Sequence, residues 1–337
     1  MPYSPGTGAL QSYQAVIQKE DVSELIGLIS PEDTPLYSAF RSESCHQKIV
    51  HWQEDALRAP AVNRQVEGVD AVTVTAGAPG TGSLTATLGP SAGVAGLTTD
   101  KSNYTQIFAE TAQTSSTVDN TEVYGRANDH DYQVMKKGLE LKRDIEYAFL
   151  LGQAGTAGNS TTARQLTSVD GLIASTARLS AGTAAPLTEA DILTLHKTVY
   201  ALGGEPNVLM VSPAHSMIVA DFAYRVGGAT PFTSVRGRDV AGGTEIVNVV
   251  ELYRDPFGTL SVQINKYMTA AGAAKSSYDV YLLQMDAWWV PTLQPIMSEN
   301  LAKVGLNRRT LLSTELTLAH LNGECSGRLY NLSATGA

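Results

Sequence analysis

The sequence predicts an α+β chain, and three observations carry the prediction. One stretch, Asn128 to Gly152, repeats apolar residues near the 3.6-residue period of an amphipathic helix; several short runs are β-branched and alternate with polar residues; and turn signals, rather than a regular succession of helices, separate the later runs. At 337 residues the chain exceeds the usual single-domain length, so one large module or two interleaved ones are expected. Hydrophobic residues make up 43% and charged residues only 17%, below the roughly 25% usual in soluble domains. Some of the surface is therefore expected to be covered.

The first element is a short helix pattern, Val22, Leu25, Ile26 and Ile29, preceded by Glu20, Asp21 and Glu24, which suit a helix N-terminus. Ser30-Pro31 stops it, because the residue before proline disfavours α geometry. Lys48 to Trp52 reads as a strand. From Ala71 to Thr99 there is no charged residue, and Val72, Val74, Leu84, Ala86 and Leu88 alternate with Thr and Ser around a Gly77-Ala78-Pro79-Gly80 turn. Such a hairpin has little core of its own and is expected to lie on something else. The same composition also fits a flexible loop, and the residues alone leave both open.

Asn128 or Asp129 opens the clearest helix, with Val134, Met135, Leu139, Leu141, Ile145, Ala148 and Phe149 as its stripe and Gly152 as its end. Lys136 with Glu140 and Lys142 with Glu146 are spaced for ion pairs on polar faces, and a helix of about 23 residues makes a strut of roughly 35 Å. After a Gly/Ser/Thr-rich stretch, Thr188 and Asp191 approximate a capping box before Ile192, Leu195, Val199 and Leu202, and Gly203-Gly204 ends that helix. A buried strand at Val208–Val211 leads to Ser212 and Pro213, an N-cap and first-turn pair launching a helix that buries Ile218, Val219 and Phe222. A Gly/Arg loop, Arg225 to Gly243, precedes strands at Glu245–Tyr253, Leu260–Ile264 and Val280–Met285, with Asp255-Pro256-Phe257-Gly258 as a hairpin turn. Thr310–Leu321 and Ser326–Leu332, divided by Asn322-Gly323, close the chain as sheet.

Motifs for chemistry are sparse. Cys45 and Cys325 form no C-x-x-C pair, and of the six histidines (His46, His51, His130, His196, His215 and His320) only the first two are near neighbours, at a spacing poor for metal on helix or strand. Asp129-His130-Asp131 has the composition of an acid/base cluster, but it stands where capping carboxylates belong. There is no G-x-S-x-G elbow and no phosphate loop. Trp288-Trp289 has the rings to stack on a sugar, but on a strand adjacent tryptophans place one in a core and one at an interface. No catalytic residue, metal or cofactor is expected. Met1–Leu10 shows no secretory signal, no apolar run reaches membrane length, and a formal net charge of -9 opposes broad nucleic-acid affinity without opposing enclosure of DNA.

Three stretches are informative together: Asp21–Leu36, with its helix followed by Ser30-Pro31-Glu32-Asp33-Thr34-Pro35; His51–Leu57 running to Glu67-Gly68, with Asn103–Phe108 as a returning limb; and Glu140–Glu146 near the end of the strut. In this order they resemble the major capsid proteins of tailed bacteriophages, the Hong Kong 97 type coat fold, in a subgroup without a long fused scaffold. The resemblance implies an N-terminal arm over 1–44, an extended loop over 45–110, a peripheral domain over 111–185 with a spine helix at about 129–152, an axial domain over 186–295, and C-terminal strands over 296–337 returning to the peripheral domain. It implies pentamers and hexamers forming an icosahedral head around double-stranded DNA, assembled in the host cytoplasm, with portal, scaffold and decoration or cement proteins as partners and no membrane. Trp52, Asp55, Arg58, Glu67, Val74, Leu84, Arg143, Arg236 and Arg238 are the expected inter-subunit contacts. The type member of the fold cross-links its shell through a loop lysine, and Ala56–Gly96 contains none, so a non-covalent lock is expected. The rival readings are a metal- or carboxylate-dependent hydrolase and a glycan-binding module.

Overall fold

The computed structural model describes residues 34–55, 98–121, 128–222, 237–240, 243–246, 252–268 and 278–333. In chain order the elements are α1 (Pro35–Ala39), β1 (Arg41–Ser44), β2 (Ile49–Glu54), β3 (Thr99–Tyr104), β4 (Gln106–Ser115), α2 (Ser116–Asp119), α3 (Asp129–Leu150), α4 (Val169–Leu172), β5 (Arg178–Ala185), α5 (Glu189–Ala201), β6 (Val208–Val211), α6 (Pro213–Phe222), β7 (Gly237–Val240), β8 (Gly243–Ile246), β9 (Leu252–Asp255), β10 (Gly258–Ile264), β11 (Tyr278–Leu283), β12 (Trp288–Asn300), β13 (Asn307–Leu316), β14 (Ala319–His320) and β15 (Gly327–Leu332). Helix and sheet are mixed, as the sequence predicts, but the sheets are not purely antiparallel: β1 with β12, β6 with β10 and β5 with β15 pair parallel.

The strut forms where the apolar stripe places it. Asn128 caps α3 by accepting from the backbone N–H groups of His130 and Asp131, and Gly152, at φ 76°, takes the left-handed conformation just past the C-cap Leu151. Leu141, Ile145, Ala148 and Phe149 are buried against Leu36 and Phe40 from the N-terminal side and Phe108, Leu312 and Leu316 from a five-stranded sheet. Each large side chain so buried contributes roughly 1.5–3 kcal/mol. That sheet runs β1-β12-β13-β4, with β14 also paired to β12. Its centre is a long hairpin, β12 against β13, and β13 pairs with β4 from Leu316↔Gln106 to Asn307↔Ser115.

The second sheet is six-stranded, β5-β15-β11-β6-β10-β9, with β6 buried on both faces. Met210 packs into the core shared with α3, while Leu209 and Val211 face Ile192, Leu195 and Val219 of α5 and α6. Thr188 and Asp191 form the capping box of α5 reciprocally. Asp255 Oδ1 accepts from the backbone of Phe257 and Gly258, which closes the expected β9–β10 turn.

Several expectations are corrected. Glu146 does not lie on a polar face: it is fully buried, because the Thr34–Phe40 segment covers that side of α3. The ion pairs of the strut run instead from Lys137 to Glu140 (2.6 Å) and to Glu110 of β4 (3.0 Å). The Gly/Arg loop ends in a strand pair, β7 with β8; of the run expected over Glu245–Tyr253, Glu245 and Ile246 lie in β8 and Leu252 and Tyr253 in β9, and 247–251 lie outside the described residues. The closing sheet is divided: β13 pairs in the five-stranded sheet, whereas β15 lies between β5 and β11 of the six-stranded one. The short helix over Val22–Ile29 and the uncharged hairpin fall outside the described residues, apart from its end in β3.

Candidate assembly surface

The two limbs expected of the extended loop meet. β2 and β3 pair antiparallel from Ile49↔Tyr104 to Glu54↔Thr99, forming a ribbon of its own beside the five-stranded sheet. Residues 56–97 connect its two strands. Where β3 passes into β4, Asn103 and Thr105 are fully buried, and a strap after α3, residues 152–168, which contains the Gly/Ser/Thr-rich stretch, ties this root down. Gln106 Oε1 accepts from Gln153 Nε2 (3.0 Å) and from the Leu166 backbone (3.1 Å), and the strap closes on itself through Thr156 and Gln165. Nothing periodic in the sequence marks this strap, because it is held by side-chain hydrogen bonds to residues distant in sequence.

The expected contact residues divide. Trp52 is half-buried against Trp289 of its own chain, edge to face at 6.0 Å, and Asp55 is exposed at the ribbon's end. Arg143 lies half-buried on α3, and its Nε is buried without a hydrogen-bond partner. The Arg238 backbone pairs with Glu245 across β7 and β8. Arg58, Glu67, Val74, Leu84 and Arg236 lie outside the described residues. The structure thus brings Trp52 and Asp55 together at the ribbon and sets Arg143 and Arg238 on other elements. It adds a feature missed in the sequence, the turn between β12 and β13, where Leu301, Val304 and Leu306 are exposed and Leu306 is 86% accessible. The signal was present: from Asn300 to Thr314 no acidic residue interrupts the apolar and basic side chains.

The residues singled out for chemistry have structural partners. His130 is buried, with Nδ1 2.8 Å from Thr114 Oγ1 and Nε2 2.8 Å from Thr310 Oγ1. Thr310 gives its hydroxyl proton to Asn300 Oδ1, so His130 Nε2 is the donor and Thr114 donates to Nδ1. His130 therefore joins the start of the strut to the hairpin. His51 Nδ1 meets Asp100 Oδ2 at 2.9 Å on the exposed ribbon, and no group of three or more His, Cys, Asp or Glu among the described residues is placed to hold a metal. Trp288 is buried between Phe40 and His320, unavailable to a glycan. Among the described residues no helix is long and apolar enough to cross a membrane.

Comparison with known proteins gives a consistent set of likenesses. The family model for the SU10 major capsid protein matches residues 7–333. A major capsid protein of Escherichia phage Phieco32 is 27% identical over 368 residues, spanning 95% of this chain and 96% of that protein. Among solved structures, the fold is shared with the capsid of an empty GTA particle (TM-score 0.58, 10% identity, 96% of this chain and 97% of the other). It is shared also with a structure from Mycobacterium phage Cain (0.57, 12%, 98% and 100%) and with the holo-SrpI encapsulin complex of Synechococcus elongatus PCC 7942 (0.56, 12%, 94% and 94%).

Proposed function

The chain belongs to the SU10 major capsid protein family, and on that footing we propose that its copies assemble into pentamers and hexamers that close an icosahedral phage head around double-stranded DNA. Its place is the capsid of the virion. The observation that carries the reading is the β2–β3 ribbon, which joins the two ends of a stretch uncharged from Ala71 to Thr99. Such a segment packs between chains without stranding charge in the interface.

In this reading residues 1–44 are the arm, 45–110 the extended loop, 111–185 the peripheral part, 186–295 the axial part, and 296–337 the closing strands, shared between the two sheets. Trp52, Asp55, Arg58, Glu67, Val74, Leu84, Arg143, Arg236 and Arg238 meet neighbouring subunits. The half-buried Arg143 guanidinium is suited to a carboxylate supplied by another copy. Assembly takes place in the host cytoplasm with a portal, a scaffold and decoration or cement proteins, and the lock is non-covalent. With a formal net charge of -9, the chain encloses DNA rather than gripping it. Negative-stain microscopy and light scattering of the purified chain test the proposal: large closed particles are expected, and a compact monomer at every concentration overturns it.

A further inference from the structure

The geometry points to Asn103 and the Arg164–Glu315 pair as positioning residues that fix the direction in which the β2–β3 ribbon leaves the subunit; the inference rests on the assembly reading above. Asn103 uses its full hydrogen-bonding capacity in the interior. Its Nδ2 donates to the carbonyls of Leu318 (2.7 Å) and Thr167 (3.1 Å), and its Oδ1 accepts from the backbone N–H of Thr167 (2.8 Å) and Tyr104 (2.9 Å). One side chain thus joins the ribbon, the strap and the turn after β13.

Two residues on, and so on the same side of an extended chain, Thr105 repeats the arrangement. Its N–H donates to the Lys48 carbonyl (3.0 Å), which ties the returning limb to the outgoing one. Its hydroxyl donates to Glu315 Oε1 at 2.6 Å. Arg164 of the strap completes the clamp: Nε donates to the Thr105 carbonyl and the guanidinium pairs with Glu315. With side chains 20% and 13% exposed, that ion pair is shielded and weakly screened by salt. A Cβ added to Gly155 would stand 2.5 Å from Thr167 Oγ1 within the strap and in van der Waals range of the Tyr104 ring (3.4 Å) and Asn103 Oδ1 (3.5 Å), so the strap is tightly folded and packs on the root. At the far end Glu54 Oε1 accepts from the Gly323 backbone at 3.2 Å.

Each ribbon strand has six residues, a lever of about 20 Å at roughly 3.3 Å per residue. An error of about 10° at the root would move the end by about 3.5 Å on that lever, enough to break its Glu54–Gly323 bond and to spoil a packed contact with a neighbour. A fixed root converts the fold of one subunit into the aim of the segment it offers to the next.

The test combines hydrogen–deuterium exchange on the unassembled chain with particle sizing, for the wild type, Arg164→Gln, Arg164→Lys and Asn103→Ala. Expected in Arg164→Gln is exchange about tenfold faster over 48–54 and 99–105, unchanged exchange over α3, and particles of broadened diameter. Arg164→Lys should recover most of the protection. Unchanged exchange at the root overturns the clamp, and faster exchange with wild-type particles overturns its role in aiming the ribbon. Should Asn103→Ala fail to fold, the Arg164 variants decide. If the wild type itself forms no particles, the assembly reading fails, while the exchange data still decide whether the clamp exists.

Discussion

His320 lies with its ring 3.9 Å from that of Trp288, and its hydrogen bonding determines its tautomer. Ser326 Oγ receives N–H groups from Trp288 Nε1 (3.0 Å) and the Gln284 backbone (3.3 Å), so its own proton goes to His320 Nε2, and the ring proton sits on Nδ1, which is buried without a partner. Burial pushes the imidazole pKa from 6.5 down to about 3. The unfolded chain takes up this proton near 6.5 while the folded one refuses it until about 3, so the stability His320 permits is complete above pH 6.5 and is lost as pH falls through that window. Between pH 7 and pH 5 the loss is about 2 kcal/mol. Urea unfolding of the unassembled chain at the two pH values should show that His320→Phe removes this share of the acid sensitivity; an unaltered difference would refute the assignment. Glu146 is the opposite case, a carboxylate whose pKa burial raises. It accepts from the backbone of Leu36 (3.0 Å) and Tyr37 (2.8 Å) and from Asn265 Nδ2 (2.6 Å), and so fastens two distant segments to the strut. Its spacing from Lys142 suggested a solvated pair, and only the covering segment, remote in sequence, reverses that reading.

At the scale of elements, α5 and β15 approach so closely that a side chain is excluded. A Cβ on Gly327 would stand 2.8 Å from Val199 Cγ2 and 3.0 Å from Leu195 Cδ1, both on α5. Gly327→Ala must push the helix off the sheet, and overpacking of this kind costs about 1–3 kcal/mol. A lower denaturant midpoint at constant m-value is the expected result; an unchanged midpoint would mean that the helix yields freely. Elements whose signals are local were legible: the Asn128 cap, the Thr188–Asp191 box, the Ser212-Pro213 start and the Asp255 turn all stand where short-range chemistry puts them. Those that depend on distant partners were not. β12 carries Pro291 and Pro295, which argue against a central strand, yet it pairs with β1, β13 and β14 across register irregularities. Within the ribbon Lys48 to Trp52 was readable as strand, whereas the clamp beneath it, made by Asn103, Arg164 and Glu315, joins residues more than 50 positions apart.

For the whole molecule the governing quantity is the surface each subunit leaves for others. The described body is stabilised by two cores, one joining the spine helix to both sheets and one between the six-stranded sheet and helices α5 and α6. Val74 and Leu84 lie outside the described residues. If those two residues meet neighbouring copies, a charge placed on either is harmless in the free chain and costly in the shell, where a desolvated carboxylate without a partner is strongly unfavourable. Val74→Glu and Leu84→Glu should therefore keep the wild-type thermal transition and circular dichroism while closed particles fall by at least about tenfold, the effect of roughly 1.4 kcal/mol per contact, and each shell repeats the penalty in every subunit. Raising salt should not restore assembly, because the penalty is desolvation rather than long-range repulsion. Loss of folding in parallel with loss of particles would place these residues in the subunit's own core and remove the uncharged segment from the interface.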